Sequence, residues 1–245
     1  MLKGICVLPA IPMRVNKSDK SEMINQVLFG ETFKIIEKLQ HWSYIKLDHD
    51  QYEGWIDNKQ YDPLKTPITK YIICNKKNAN IKIDQSSQTI VLGSFIPLNQ
   101  TFITKYKISH TLSFCEMKPF HTCFIKTAKK YLNSPYLWGG RTPLGIDCSG
   151  YTQIVYRLFN IQLPRDASEQ VNTGNKVLDI TCAKVGDLAF FSTKTSITHV
   201  GIYLGNNKII HASGKVRIDK LDEKGIFNKD LQSYTHILNT IQRVF

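Results

Sequence analysis

Asp147-Cys148-Ser149-Gly150-Tyr151 closes a loop, Gly139-Gly140-Arg141-Thr142-Pro143-Leu144-Gly145-Ile146, and opens a run in which Tyr151, Ile154, Val155, Leu158 and Phe159 recur at helical spacing. The spacing predicts a helix that starts near Cys148. Asp147 is a favoured N-cap residue, which puts the thiol in the first helical turn. Unpaired backbone N–H groups and the positive end of the helix dipole there favour a thiolate and can hold an oxyanion. A free cysteine is also commonly a small buried hydrophobe, so Cys148 by itself decides little.

Two histidines further along supply what a nucleophilic thiol needs. His199-Val200-Gly201-Ile202-Tyr203-Leu204 and Lys208-Ile209-Ile210-His211-Ala212 are strand-like runs separated by Gly205-Asn206-Asn207, a hairpin signal. A separation of 12 positions around that turn makes the two rings opposite or diagonal neighbours on adjacent antiparallel strands. His199 is then the base for Cys148, and His211 fixes its tautomer and orientation. Each histidine alone also reads as a satisfied core residue. Zinc is the competing reading, which two histidines at this spacing, without a CxxC pair or a His-x-x-x-His helix, do not favour. No metal and no organic cofactor is expected.

Six ordered blocks carry a family resemblance: Tyr136-Leu137-Trp138-Gly139-Gly140, Gly145 to Gly150, Leu163-Pro164-Arg165-Asp166-Ala167, Val185-Gly186-Asp187-Leu188-Ala189-Phe190-Phe191, His199 to Tyr203, and Ile210-His211-Ala212-Ser213. From about Phe120 to Phe245 the chain resembles the NlpC-type cell-wall peptidases, papain-like bacterial cysteine endopeptidases that act on peptidoglycan stem peptides. The resemblance implies an α+β catalytic domain over 116–245, with the nucleophile helix packed on an antiparallel sheet. It implies Cys148 as nucleophile, His199 as base and His211 as the third polar residue. It also implies substrate contacts at Tyr136, whose hydroxyl approaches the oxyanion, at Trp138 as a cleft wall, at Asp147 and Ser149, and at Asp166. Core packing is the alternative for Tyr136 and Trp138, and an ordinary N-cap of a helix from Ala167 to Val171 is the alternative for Asp166. Asp187 reads as turn chemistry rather than catalysis.

The N-terminal half has a different texture. Short strands are expected at Cys6 to Leu8, Phe33 to Glu37, Ser43 to Leu47 and Gly54 to Asp57, with turns at Phe29-Gly30-Glu31 and Asp48-His49-Asp50. Pro12-Met13-Arg14, Val27-Leu28-Phe29-Gly30-Glu31, Trp42-Ser43-Tyr44-Ile45 and Tyr52-Glu53-Gly54-Trp55-Ile56 resemble the bacterial SH3-like barrels that accompany cell-wall peptidases, over residues 1–62. After the linker Asp62-Pro63-Leu64-Lys65-Thr66-Pro67, residues 68–115 alternate again at Tyr71 to Cys74, Ile81 to Ile83 and Thr89 to Leu92. They are expected to form a second, degenerate barrel that lacks the Gly-Glu and Gly-Trp landmarks. One or two small all-β barrels therefore precede the catalytic domain.

Barrels in this position imply, in similar enzymes, a cleft narrowed to peptides with a free N-terminal L-Ala. The resemblance then implies a thiol protease of murein recycling that cuts the γ-D-Glu to diamino acid bond (diaminopimelate or Lys) of a stem peptide. A free amine in a closed site needs an acid partner, for which Glu22 is the candidate, with Tyr52 as a second polar contact. A solvated loop acid and a barrel aromatic explain the same two residues. Other readings are a hydrolase or amidase remodelling intact wall, a thiol acyltransferase, and a catalytically silent wall-binding module.

Composition sets outer limits. The 245 residues carry 42% hydrophobic side chains, as in an ordinary globular protein of one or two domains. A net charge of +12 suits an anionic partner such as an acidic stem peptide. The lysines are not clustered with interleaved aromatics, so no nucleic-acid partner is expected. The cysteines at 6, 74, 115, 123, 148 and 182 do not form a disulfide framework. Pro9 and Pro12 interrupt the N-terminal apolar run, which argues against a secretory signal, and no stretch reaches membrane-spanning length. A cytoplasmic protein is expected, or a periplasmic or secreted one if a leader was removed. The oligomeric state is left open.

Overall fold

The computed structural model describes residues 2–83, 85–106, 120–193 and 196–245. Packing divides the chain into two compact units, Met1–Glu116 with Trp138–Pro143, and Met117–Leu137 with Leu144–Phe245. Helices and antiparallel sheet are both present, as an α+β reading requires. The expected boundary between 115 and 116 lies outside the described residues, as does Cys115.

The first unit opens with a seven-stranded antiparallel sheet in the order Met23–Leu28, Ala10–Arg14, Glu53–Asp57, Trp42–Leu47, Thr32–Lys38, Lys3–Ile5, Asp62–Pro63. Strict alternation of buried and half-buried residues along Trp42–Leu47 turns Ser43, Ile45 and Leu47 to the core. There Ile45 and Leu47 meet Ile11, Val27, Phe33 and Ile56. The first strand is Lys3–Ile5, not Cys6 to Leu8, and the start of the expected linker, Asp62–Pro63, pairs with it. Ala10–Arg14 contains Pro12, which argues against a strand in sequence. It is tolerated because this strand is paired on its second side only through Arg14 and Trp55. Gly30 adopts φ +78, and a Cβ there would lie 1.9 Å from the carbonyl oxygen of Phe95. The Gly-Glu turn is therefore a close-approach site that admits no side chain.

Beyond the linker, Tyr71–Ile73 pairs with Phe95–Pro97, Asn78–Ile83 pairs with Ser86–Val91, and a helix spans Gln100–Tyr106. Cys74, Ile81, Ile90 and Phe102 share a core with Ile5 of the preceding sheet and Phe29 of its turn. Trp138–Pro143 completes this unit through Arg141, whose guanidinium forms a bidentate pair with Glu31 at 2.9 and 2.9 Å, both side chains fully buried. Arg141 also donates from its backbone N–H to Gln26 Oε1 and from Nη1 to the Gln26 carbonyl, each at 2.7 Å. His49 stands beside this pair and 3.1 Å from Asp50. Burial pushes the Asp50 carboxyl up, but His49 and Arg141 outweigh it and hold the group well below the usual carboxylate range.

In the second unit the sheet runs Asn175–Val177, Ser233–Arg243, Leu188–Ser192, Ile197–Gly205, Lys208–Ser213, Lys215–Leu221, Gly225–Asn228. Gly225–Asn228 pairs back onto Ser233–Arg243, so the expected antiparallel sheet is a closed six-stranded ring with Asn175–Val177 appended. Ala189, Tyr203, Ile209, Leu221 and Ile226 fill one core of this unit. The helix Cys148–Arg157 lies against strands Ile197–Gly205 and Lys208–Ser213, and all ten of its residues are buried. It stops before Asn160, whose φ of +60 ends helical geometry. Asp187 is buried and pinned by Arg243 at 2.7 and 2.8 Å, a structural role as its turn position suggests.

Candidate active site

Asp147 adopts an extended backbone before the helix, and its Oδ1 accepts from the Gly150 N–H at 2.7 Å, the expected N-cap. Arg165 clamps the same carboxylate, with Nη1 3.1 Å from Oδ1 and Nη2 on Oδ2, and also donates to Ser149 Oγ at 2.9 Å. Gln170 donates to the Ser149 carbonyl at 3.0 Å and accepts from Thr152 Oγ1 at 2.7 Å. These bonds fix the first turn, and with it Cys148, from two sides. Asp147 and Ser149, expected as substrate contacts, are both buried in this network.

Cys148 is only 5% exposed. Burial pushes its thiol up to about 12, with the Asp147 charge adding to the effect. The backbone N–H groups of Val200 and Ser149 and the Arg165 charge act the other way without prevailing. The expectation that the helix start favours a thiolate is therefore corrected: desolvation of a sulfur anion outweighs the backbone N–H groups that would stabilise it.

The hairpin places the histidines as the turn signal predicts. Asn206 and Asn207 both have positive φ and form the two-residue turn between Ile197–Gly205 and Lys208–Ser213. His211 faces Gly201 in register, so His199, two residues away, is its diagonal neighbour on the same side. A Cβ on Gly201 would lie 2.9 Å from His211 Cβ, and its absence makes room for the ring. His199 Nε2 lies 2.8 Å from His211 Nδ1, and His211 Nε2 lies 3.0 Å from Asp219 Oδ2. Asp219 is fixed in turn by Arg217 at 2.7 and 2.9 Å. Burial pushes the Asp219 carboxyl up, yet hydrogen bonds from His211 and Arg217 leave it below its ordinary value. Burial, aided by the neighbouring rings of His211 and His236, holds His199 well below the usual imidazole range.

A high thiol and a low imidazole make the resting pair neutral rather than an ion pair. Alkylation of Cys148 by iodoacetamide is therefore expected to stay slow through neutral pH and to accelerate only above about pH 9, the ordinary thiol range. Loss of kcat/KM on acidification is expected only below about pH 6.5, because protonating a depressed His199 takes more acid than an ordinary imidazole. Fast alkylation at about pH 6 would contradict this assignment.

Tyr136 is half-buried, and its N–H donates to the Gly214 carbonyl at 2.9 Å. Burial, followed by the nearby Cys148 and Asp147, pushes its phenol up to about 12, so it stays a proton donor. Asp166 occupies the N-cap position of the helix Ala167–Gln170, without a side-chain capping bond. In the first unit, Trp138 is 58% exposed, which removes the core-packing alternative, and its Nε1–H donates to Glu22 Oε1 at 2.6 Å. Two residues read separately in sequence are thus one pair. Tyr52 packs against the sheet core and Glu22 is exposed.

Sequence reading missed three participants: Asp219, Arg217 and His236. His236, on the last strand, stacks on His199 with ring centroids 4.2 Å apart. One ring nitrogen from each of His199, His211 and His236 lies within 4.8 Å of the other two, the arrangement among the described residues that is able to hold a metal ion.

The sequence matches the NlpC/P60 family over residues 133–235 and the bacterial dipeptidyl-peptidase SH3 domain over residues 13–60. It is 30% identical to dipeptidyl-peptidase 6 of Lysinibacillus sphaericus, over 86% of this chain and 89% of that one. It is 28% identical to the gamma-D-glutamyl-L-lysine dipeptidyl-peptidase of Bacillus subtilis (strain 168), over 84% and 78% of the two chains. The crystal structure of an NlpC/P60 family protein from Bacillus cereus ATCC 10987 superposes with a TM-score of 0.80 over 99% of each chain, at 19% identity, a likeness of fold. With the papain-like arrangement of its second unit and an SH3-like domain ahead of it, the chain belongs to the NlpC/P60 family of cysteine peptidases.

Proposed function

We propose that this protein is a peptidoglycan endopeptidase that hydrolyses the γ-D-Glu to diamino acid bond of stem peptides carrying a free N-terminal L-Ala, in cytoplasmic murein recycling. The observation that carries this reading is the line Asp219, His211, His199 on strands against which the helix that begins at Cys148 packs. Relatives named as gamma-D-glutamyl-L-lysine dipeptidyl-peptidases support the bond, and match most of both chains.

Hydrogen-bond logic assigns the protons. The Asp219 carboxylate only accepts, so His211 Nε2 donates to it and His211 Nδ1 is left to accept. His199 Nε2 therefore donates to His211 Nδ1, and His199 Nδ1 keeps the lone pair that serves as base. The Cys148 S–H proton passes to that nitrogen as sulfur attacks the γ-D-Glu carbonyl. Backbone N–H groups at the helix start and the Tyr136 hydroxyl hold the oxyanion. The same proton leaves with the diamino acid amine, and water, deprotonated by His199, releases the acyl group. Asp219 is a positioning residue in this scheme. Asp219→Asn presents an amide donor where only acceptors fit, and is expected to lower kcat by about 100-fold with KM little changed, the low end of what a mis-set base forfeits. An unchanged kcat would exclude the proton assignment.

The free-amine requirement is assigned to Glu22, with Tyr52 as second contact and Asp166 toward the stem peptide. Residues 68–115 are read as the degenerate second SH3-like barrel, although the described residues there form two separate two-stranded ladders and the helix Gln100–Tyr106 rather than an all-β barrel. Mass spectrometry of three substrates tests the function: free L-Ala-γ-D-Glu-diamino acid, its N-acetylated twin, and intact sacculi. Cleavage of the free peptide alone is expected. Cleavage of sacculi as well would indicate wall remodelling, and cleavage of none would favour a silent binding module.

A further inference from the structure

His236 has no part in the proton path, yet it completes a cluster of three imidazoles drawn from three strands of the closed ring, Ile197–Gly205, Lys208–Ser213 and Ser233–Arg243. We propose that His199, His211 and His236 bind one late first-row divalent ion, with Zn²⁺ the best match, and that the bound ion switches the peptidase off.

The donor set is all imidazole, which suits zinc, copper and nickel rather than magnesium or calcium. Three protein ligands with an open fourth position are a common zinc arrangement. His211 already has the outer-shell partner of a metal-ligating histidine, because its Nε2 faces the Asp219 carboxylate at 3.0 Å and Arg217 holds that carboxylate. His236 has the same device in weaker form: its Nδ1 lies 2.8 Å from Thr235 Oγ1, which leaves Nε2 for the ion. His199 Nε2 and His211 Nδ1 are 2.8 Å apart, whereas nitrogens on a tetrahedral zinc stand roughly 3.3 Å apart for bonds of about 2.0–2.1 Å. Coordination therefore asks the two nitrogens to part by about half an ångström and both rings to turn their lone pairs onto the ion, while His236, within 4.8 Å, closes in as the third ligand. The half-buried His236 is the route in from solvent, since the other two rings are buried.

Inhibition follows from where protons go. The ion takes the lone pairs of His211 Nδ1 and His199 Nε2, so the single proton of His199 moves from Nε2 to Nδ1. That is the nitrogen required as base, and no proton is gained or lost overall. The base is thus disabled without any metal bond to sulfur. This half of the proposal rests on His199 being the base, whereas the binding half does not.

The test separates the two. Cys148→Ala, which removes the thiol as a competing ligand, is titrated with Zn²⁺ by calorimetry, with Co²⁺ absorption as a report on coordination. One ion per chain is expected. His236→Phe keeps the ring stack but removes the donor, and with the second variant His236→Gln should weaken binding about 100-fold or more, at least the upper end of what losing an outer-shell partner costs. In the thiol-containing protein, Zn²⁺ should abolish peptide cleavage reversibly to chelator. The inhibitory concentration should rise by a similar factor in the His236 variants, each compared with its own metal-free rate. No binding to Cys148→Ala, or equal affinity in folded His236 variants, would overturn the site. Stoichiometric binding without inhibition would overturn only the switch.

Discussion

Cys148→Ala is expected to lower kcat/KM by about 10⁴-fold or more while leaving the protein folded. The size follows from the chemistry. Ser149, the neighbouring hydroxyl, is buried under Arg165 at 2.9 Å, and the His199–His211–Asp219 line has nothing to activate once sulfur is gone. Folding should survive because the first helical turn is fixed by Asp147, Arg165 and Gln170, none of which bonds through the sulfur. The comparison is made on purified variants by peptide cleavage and circular dichroism. Residual turnover above about 1% of the parent would point to a different nucleophile.

Arg141→Met is expected to destabilise the first unit by about 3–5 kcal/mol, because it strands the Glu31 carboxylate without its cation in a fully buried position. Glu31 would keep the Leu28 N–H at 2.8 Å and His49 at 3.5 Å, too little to replace a bidentate guanidinium. The double variant Glu31→Gln, Arg141→Met should recover part of the loss, since it removes the charge as well as its partner. Urea unfolding followed by tryptophan fluorescence reads this unit, where Trp42, Trp55 and Trp138 all lie. A loss below about 1 kcal/mol in the single variant would show that the pair behaves like an exposed ion pair.

The parts of the site legible in sequence are those fixed by local rules. A cap residue beside the nucleophile placed Cys148, and a two-residue Asn turn set the register that joins His199 to His211. Asp219 lies one hairpin further on, diagonal to His211 across the pairing of His211 with Arg217. In sequence, Lys215-Val216-Arg217-Ile218-Asp219 carries no motif that singles out Asp219. Strand parity was the available signal, since Asp219 shares a face with His211 only when the turn at Gly214 is counted. His236 was not legible because its position depends on ring closure between Gly225–Asn228 and Ser233–Arg243. Only two of the three rings are neighbours in sequence pattern, and the third arrives by that closure. In the N-terminal unit, alternation placed Thr32–Lys38, Trp42–Leu47 and Glu53–Asp57 within a residue. Ala10–Arg14 was hidden by a proline that edge pairing tolerates.

The Glu31–Arg141 pair also bears on the order of events at the ribosome. Its members are separated by 110 positions, so the nascent N-terminal sheet carries Glu31 without its cation until translation has passed Met117–Leu137, the first stretch of the second unit. At roughly 5–20 residues per second that interval is about 5–20 s, long compared with the folding of a small β domain. The first module therefore matures only once the loop that leads into the nucleophile helix has been made, and a translation product released before Arg141 leaves an unfinished barrel open to quality-control proteases.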